Sequence, residues 1–325
     1  MASAQALGKA LHREWARVHP VPVMAFTIRN RTLEQIARRA LADWRNLPYD
    51  LLPLSGGPAR RYWLARLAAL ACPRSPQAPD DPRALALLEQ LEDRGWTEPL
   101  GLVSPEQAAL MRQALQAQPC HDPYRPHLGD FPPDAVPSPE TNMGYYRVDQ
   151  LLAVPRLLGI FNHPLVLRVA ELYLGCKPTI DNIGGWWSFA GRDAAKGTQW
   201  FHRDWDNIRA IKLFIYLTDT GPDDGPFEFV EASHRDERLV EINRMDDEKV
   251  AQTMADLPLR RFTGAAGMVF LADTFGVHRG LLPRAQSRLM VTAQYGIWRT
   301  PFTPPQPILP RQPGLDPYIN RAVMR

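Results

Sequence analysis

Beyond Gly175 the chain breaks into short runs rich in β-branched and aromatic residues: "KPTIDNIGGWWSFAG", "RAIKLFIYLTD", "GPFEFVEAS", "GMVFLAD" and "RLMVTAQYGIW". Gly, Pro and Asp turns separate them, among them the loop Asp219 to Pro226, "DTGPDDGP". Short strands at such spacing can bury their apolar faces only by stacking as a sandwich or rolling into a barrel.

Upstream the period is helical. "TLEQIARRALADWRN" places Leu33, Ile36, Ala37, Ala40, Leu41 and Trp44 on one face, and "RRYWLARLAALAC" repeats the pattern. "DDPRALALLEQLEDRG" has Asp81 as N-cap, Pro82 in the first turn and Gly95 at the end. "SPEQAALMRQALQAQ" carries a capping box, Ser104 with Gln107. A last helix, "HPLVLRVAELYLG", starts near Pro164 and stops at Gly175. Proline-rich connectors join these segments. The tail "RTPFTPPQPILPRQPGLDPYINR" has too much proline for central strands and reads as an extended arm across the surface, or as partly disordered.

Charge names no polymer partner. The formal net charge is +3 over 325 residues, and no Lys/Arg block marks a nucleic-acid or membrane surface. Cys72, Cys120 and Cys176 are far apart, which disfavours a cysteine zinc site and fits reduced thiols in a cytoplasmic protein. The N-terminal "MASAQALGKALHREWARVH" lacks the apolar core of a secretory signal, and no run of about 18 apolar residues suggests a membrane span.

Chemistry concentrates in "TQWFHRDWDN", Thr198 to Asn207. In an extended segment, residues i and i+2 share a face, so His202 and Asp204 can aim ligand atoms at one point. Alone, such a pair is most often a solvated surface couple. His278, in "DTFGVHRG", offers a third ligand, and Arg288 follows ten residues on at the head of the next strand. Two imidazoles and one carboxylate on one face of a metal form the facial triad of non-haem Fe(II) oxygenases, with positions left open for a 2-oxo acid and O2. A guanidinium such as Arg288 suits the far carboxylate of a dicarboxylate co-substrate, through paired hydrogen bonds.

These residues resemble the phytanoyl-CoA dioxygenase family of Fe(II)/2-oxoglutarate oxygenases. The likeness runs from about Leu88 to Trp298, through the Ser104 helix, the Pro164 helix, "WWSF", "HRD", the Gly-Pro strand ending in Ser233-His234, and "DTFGVHRG". It implies an α+β fold with a double-stranded β-helix (jelly roll, cupin-like) core flanked by helices. The expected divisions are a helical N-terminal extension over 1–84, the dioxygenase domain over 85–300 and a proline-rich arm over 301–325. It implies His202, Asp204 and His278 as iron ligands and Arg288 as the 2-oxoglutarate arginine, with Trp186 and Phe214 lining the co-substrate pocket. Glu231-Ala232 replaces the usual Pro-Gly before Ser-His. Gly280 stands where a Ser or Thr is usual, and Thr292, on the Arg288 face by period two, is the candidate replacement. Related halogenases lack the carboxylate ligand, so Asp204 favours hydroxylation or another oxidation.

Other residues admit two readings. Gln199 faces away from His202 in an extended chain, and a bulge would bring it round as a donor to the co-substrate. Trp186, Trp187, Trp200 and Trp205 are core residues or an aromatic wall. Arg192, Lys196 and Arg203 are a solvated loop or an anion site. Tyr145 and Tyr146 are core residues or reach the barrel mouth. His234 reads as a turn residue, and His12, His19, His121, His127 and His163 as structural or surface residues. The function expected is an Fe(II)/2-oxoglutarate-dependent dioxygenase that hydroxylates or otherwise oxidises a small molecule, releasing succinate. The alternatives are a cupin-type metalloenzyme without 2-oxoglutarate, and a silent binding or scaffold protein. Partners are the small-molecule substrate, 2-oxoglutarate and O2, with neither nucleic acid nor membrane; the oligomeric state is unspecified.

Overall fold

The structure is a computed structural model describing residues 27–28, 31–76 and 81–325. The readings of His12, His19 and the first 26 residues lie outside the described residues, as does the connector over 77–80.

Twelve strands are present among the described residues: β1 Thr27–Ile28, β2 Arg31–Thr32, β3 Cys120–His121, β4 Asp130–Phe131, β5 Met143–Tyr145, β6 Thr179–Ser188, β7 Ala210–Tyr216, β8 Phe227–Val230, β9 Leu259–Phe262, β10 Val269–Ala272, β11 His278–Gly280 and β12 Arg288–Gly296. β1 and β2 pair alone. A seven-stranded sheet runs β10-β7-β12-β6-β5-β3-β4, and a three-stranded sheet runs β11-β8-β9. Neighbouring strands pair antiparallel throughout. Antiparallel sheets flanked by helices fit a jelly-roll class of fold.

Period-two alternation explains why β12 is buried along its whole length. Leu289, Val291, Ala293 and Tyr295 point outward into the cluster shared with the helices. Arg288, Met290, Thr292 and Gln294 take the opposite face, toward the smaller sheet. Phe214 and Tyr216 of β7 join Met290, and meet Phe227, Phe229 and Phe262 from the smaller sheet in a separate aromatic core. The space between the sheets is thus apolar at one end. Polar residues fill the rest.

Helices cover the outer face of the large sheet. Asp81 accepts from the Arg83 N–H and caps the Pro82–Arg94 helix, which ends on Gly95 at φ +86°. Ser104 and Gln107 form the expected capping box on Pro105–Gln116. Pro164–Leu174 starts on His163, which accepts from the Leu165 N–H, and closes on Gly175. The 18 residues Leu157–Leu174 have a mean hydropathy of 1.2, yet 61% of the stretch is buried inside the fold. That pattern is also the pattern of a core helix.

Three expectations need correction. In the Leu33–Ala42 helix only Ile36 is buried; Leu33 and Leu41 are exposed, as is Trp44 just beyond it. The Pro58–Leu70 helix packs through Ala65, Ala69 and Arg61, while Trp63, Leu67 and Leu70 face outward. Small residues allow that helix to approach closely, which hydrophobic period alone does not reveal. The C-terminal segment is not a loose arm. Ile319 and Val323 lie in the main core, Ile319 O accepts from the Ile180 N–H, and Leu309 bridges Met324.

Candidate metal centre and its two chambers

The segment holding His202 lies against β11. His202 N–H donates to His278 O at 2.9 Å, and His278 N–H returns a bond to His202 O at 3.0 Å. Asp204 N–H donates to Thr274 O at 2.8 Å. This exchange fixes the two histidines side by side, with ring centroids 4.2 Å apart. His278 opens β11.

One ligand atom from each of His202, Asp204 and His278 lies within 4.8 Å of the others. His202 Nε2 is 3.5 Å from Asp204 Oδ1, and His278 Nε2 is 3.7 Å from Asp204 Oδ2. Each imidazole is oriented from behind. Nδ1 of His202 lies 2.9 Å from Trp200 O, and Nδ1 of His278 lies 2.9 Å from Gly276 O. A carbonyl can only accept, so each Nδ1 carries the proton and each Nε2 presents a lone pair inward. Burial lowers both imidazole pKa values, that of His278 to about 3 with help from His202, so both rings are neutral at pH 7. Burial pushes the Asp204 carboxyl up, but the Lys212 ammonium beside it overrides this and holds the group well below the usual carboxylate range. Two neutral nitrogens and one carboxylate suit a divalent cation of borderline hardness.

Lys212, on β7, stands behind Asp204. Its ammonium donates to Asp204 Oδ2 at 2.7 Å and lies 3.7 Å from Asp206. Burial works against its charge, and Asp204 and Asp206 nevertheless hold its pKa above the ordinary value. The signal was present: Lys212 sits two residues before Phe214, so period two puts a charge on the interior face of an otherwise apolar strand.

Beside the triad is a cavity of about 80 Å3 reaching from His202, Asp204 and His278 to Arg288. Trp186, Phe214, Met290 and Gln199 also line it. Arg288 is fully buried; Nη1 donates to Gly225 O, Nη2 donates to Ser188 Oγ at 3.3 Å, and Nε has no partner. Gly280 makes this possible, because a Cβ there would stand 3.0 Å from Arg288 Nη2. Gln199 sits in a 3-10 turn, Gly197–Gln199, and not in an extended run, which brings it to the cavity. Its Oε1 accepts from Asn142 Nδ2 at 2.7 Å, leaving Nε2 buried without a partner. Thr292 shares the interior face but lies outside the cavity lining, with its hydroxyl 3.5 Å from Gly184 O. The hydroxyl beside Arg288 belongs to Ser188.

A second chamber of about 470 Å3 also ends on Asp204. The Pro58–Leu70 helix supplies one wall through Pro58, Arg61 and Tyr62; Tyr173, Arg209 and Phe275 face it.

The remaining candidates are scattered. Arg203 is buried and donates to five backbone carbonyls, including Phe275 O at 2.6 Å, so it is a structural clamp and not an anion site. Lys196 donates to Glu140 O at the surface, and Arg192 lies near the Phe189 ring. Of the four tryptophans, Trp186 alone lines the small cavity, stacked on Tyr145 at 5.5 Å. Trp187 donates to the Tyr146 hydroxyl on the other face, Trp205 is buried, and Trp200 is partly exposed. His234 lies in a 3-10 turn, Ser233–Arg235. His121 is in β3, and His127 is in a short 3-10 turn.

No protein-family model matches the chain, and no curated protein matches it. Among solved structures it is similar to the epimerase SnoN in complex with Fe3+, alpha ketoglutarate and nogalamycin RO, at 18% identity over 66% of this chain and 84% of that one, TM-score 0.46. It is similar to EctD from S. alaskensis with bound Fe, at 18% identity over 77% and 90% of the two chains, TM-score 0.47. It is similar to HygX from Streptomyces hygroscopicus with nickel and 2-oxoglutarate bound, at 15% identity over 68% and 89%, TM-score 0.43. A reading of function therefore rests on the site's own residues.

Proposed function

We propose that this chain is an Fe(II)/2-oxoglutarate-dependent oxygenase, of the kind the phytanoyl-CoA dioxygenases represent, and that it oxidises a small molecule. The observation that carries the reading is the joint placement of two inward Nε2 lone pairs, an ionised carboxylate and, across one small cavity, a buried guanidinium with an unpaired N–H. The donor set fits iron. His202, Asp204 and His278 would hold it, as a two-histidine, one-carboxylate set suits iron that works with a 2-oxo acid and O2. Bound Fe(II) would let O2 act as the oxidant of both partners: one oxygen atom goes to 2-oxoglutarate, which loses CO2 and becomes succinate, and the other oxidises a substrate C–H bond.

The protein's own work is positional. Arg288 Nε, and its Nη atoms after a small shift, take the far carboxylate of 2-oxoglutarate in a dry site, where a charged pair is strong. Gln199 Nε2 is the spare donor for the carboxylate nearer the metal. Lys212 donates to Asp204 Oδ2, which would leave Oδ1 free to hold iron. The Trp200 and Gly276 carbonyls keep both rings in the ligating tautomer. Trp186, Phe214 and Met290 exclude water. Within this reading, residues 85–300 are the catalytic unit, a double-stranded β-helix, with 1–84 as a helical extension.

The unpaired Arg288 Nε also separates this reading from a cupin-type enzyme without 2-oxoglutarate, which has no use for a buried guanidinium there. The test is turnover of the Fe(II)-loaded protein with 14C-labelled 2-oxoglutarate. Slow release of labelled CO2 and succinate, abolished in Asp204→Ala, is expected even without substrate. Release equal to free Fe(II), or unaffected by Asp204→Ala, would overturn the proposal.

A further inference from the structure

The larger chamber has a charge that nothing uses. Arg209 lies between two tyrosine rings, 4.0 Å from the Tyr173 centroid and 4.8 Å from that of Tyr62. Its Nε is buried without a partner, and it makes no hydrogen bond or ion pair among the described residues. Most other charged groups on the chamber wall are engaged, and Glu92 adds an exposed carboxylate to it. Arg61 donates to Ser55 Oγ at 3.0 Å and Asn207 O at 2.6 Å, and Arg235 pairs with Asp93 at 3.1 Å. Asp273 accepts from the Tyr173 hydroxyl and from Phe275 N–H, and Asp206 faces Lys212. An aromatic-clamped guanidinium with free N–H edges is a built anion receptor: the rings hold its plane, and the fork suits a planar acid group.

We propose that this chamber is the substrate site and that its substrate is an anionic small molecule with a flat apolar body. The acid group docks on Arg209, the body lies along Tyr62 and Phe275, and the far end reaches Asp204 and the iron position. At about 470 Å3 the chamber suits a ligand of drug-like size. Tyr62 comes from the Pro58–Leu70 helix, outside the catalytic unit as proposed, so that helix would determine specificity. This rests on the oxygenase reading for the role of substrate, and on the chamber alone for the class of ligand.

The probe pair is 8-anilinonaphthalene-1-sulfonate and its uncharged parent N-phenyl-1-naphthylamine, titrated by fluorescence into the protein carrying Fe(II) and 2-oxoglutarate under anaerobic conditions. The sulfonate should bind roughly tenfold or more tightly than the parent, the size of one charge-assisted contact. Arg209→Gln should erase that preference, Arg209→Lys should retain part of it, and Tyr62→Ala should weaken both dyes. All three variants should keep the iron–2-oxoglutarate absorption, which certifies the fold and the iron centre. Sulfonate occupancy should shift that absorption, because Asp204 borders both chambers. Equal binding of the two dyes, or an Arg209→Gln variant that binds sulfonate like the parent protein, overturns the inference; so does occupancy without a spectral shift. Absence of the absorption in the parent protein, with sulfonate binding still dependent on Arg209, sinks the oxygenase reading and leaves the anion receptor standing.

Discussion

Arg288 shows how much one side chain can carry when its setting is prepared for it. Gly280 leaves room for the guanidinium, Ser188 and Gly225 each hold a different Nη, and Nε is left over. Arg288→Gln should weaken 2-oxoglutarate binding about a hundredfold, and Arg288→Lys about tenfold, read by anaerobic titration. Ala232 occupies a left-handed conformation, φ +58°, on the turn where the resemblance would place Gly. Ala232→Gly should relieve this and raise stability by up to about 1 kcal/mol in urea unfolding. Asp181 is buried against Asn207 Nδ2 at 2.6 Å and Gln294 Nε2 at 3.1 Å, and burial pushes its pKa up to about 8. The folded protein therefore keeps the proton over a range where the unfolded chain, near the ordinary 3.8, has lost it. The sign follows: stability should fall as pH rises from about 4 to 8 by this group's contribution, and level off above. Asp181→Asn should flatten that slope. An unchanged slope in the variant would remove Asp181 as its source.

At the scale of elements, what was readable depended on whether one segment carried its own signal. The caps at Asp81 and Ser104, the stop at Gly95, and the alternation in β6, β7 and β12 are local, and the structure has them where the residues put them. β9, "LRRF", with three exposed residues, and the two-residue β3 and β4 gain strand character only from their partners, so no local pattern announced them. Gln199 escaped an extended reading because a 3-10 turn re-aims it. The Pro58–Leu70 helix misled by its leucines, since the face that packs is Ala65 and Ala69. Ala65→Leu should accordingly cost about 1–3 kcal/mol by overpacking, whereas Leu67→Ala, on the exposed face, should fall within about 0.5 kcal/mol of zero. Thermal unfolding of the two variants compares the faces directly.

Across the whole molecule, one core joins the helices, the outer face of the large sheet and the C-terminal residues. Ile319→Ala should therefore cost about 2–5 kcal/mol, as in any close-packed interior, although it lies near the end of a proline-rich tail. The convergence of His202, Asp204, His278 and Arg288 on one cavity was legible, because two-residue spacing in an extended segment puts the first two on one face. The small cavity was legible in part, through Trp186, Phe214, Gln199 and Arg288, but the larger chamber was not, because it is walled by segments far apart in sequence, such as Tyr62 with Arg209. Among the described residues, Asp204 is the one that lines both chambers. The most direct measurement is anaerobic visible absorption of the protein titrated with Fe(II) and then 2-oxoglutarate. A weak charge-transfer band that saturates with 2-oxoglutarate, is lost in His278→Ala and needs far more 2-oxoglutarate in Arg288→Gln is the predicted result. No band in the parent protein, or a band indifferent to His278 and Arg288, would contradict it.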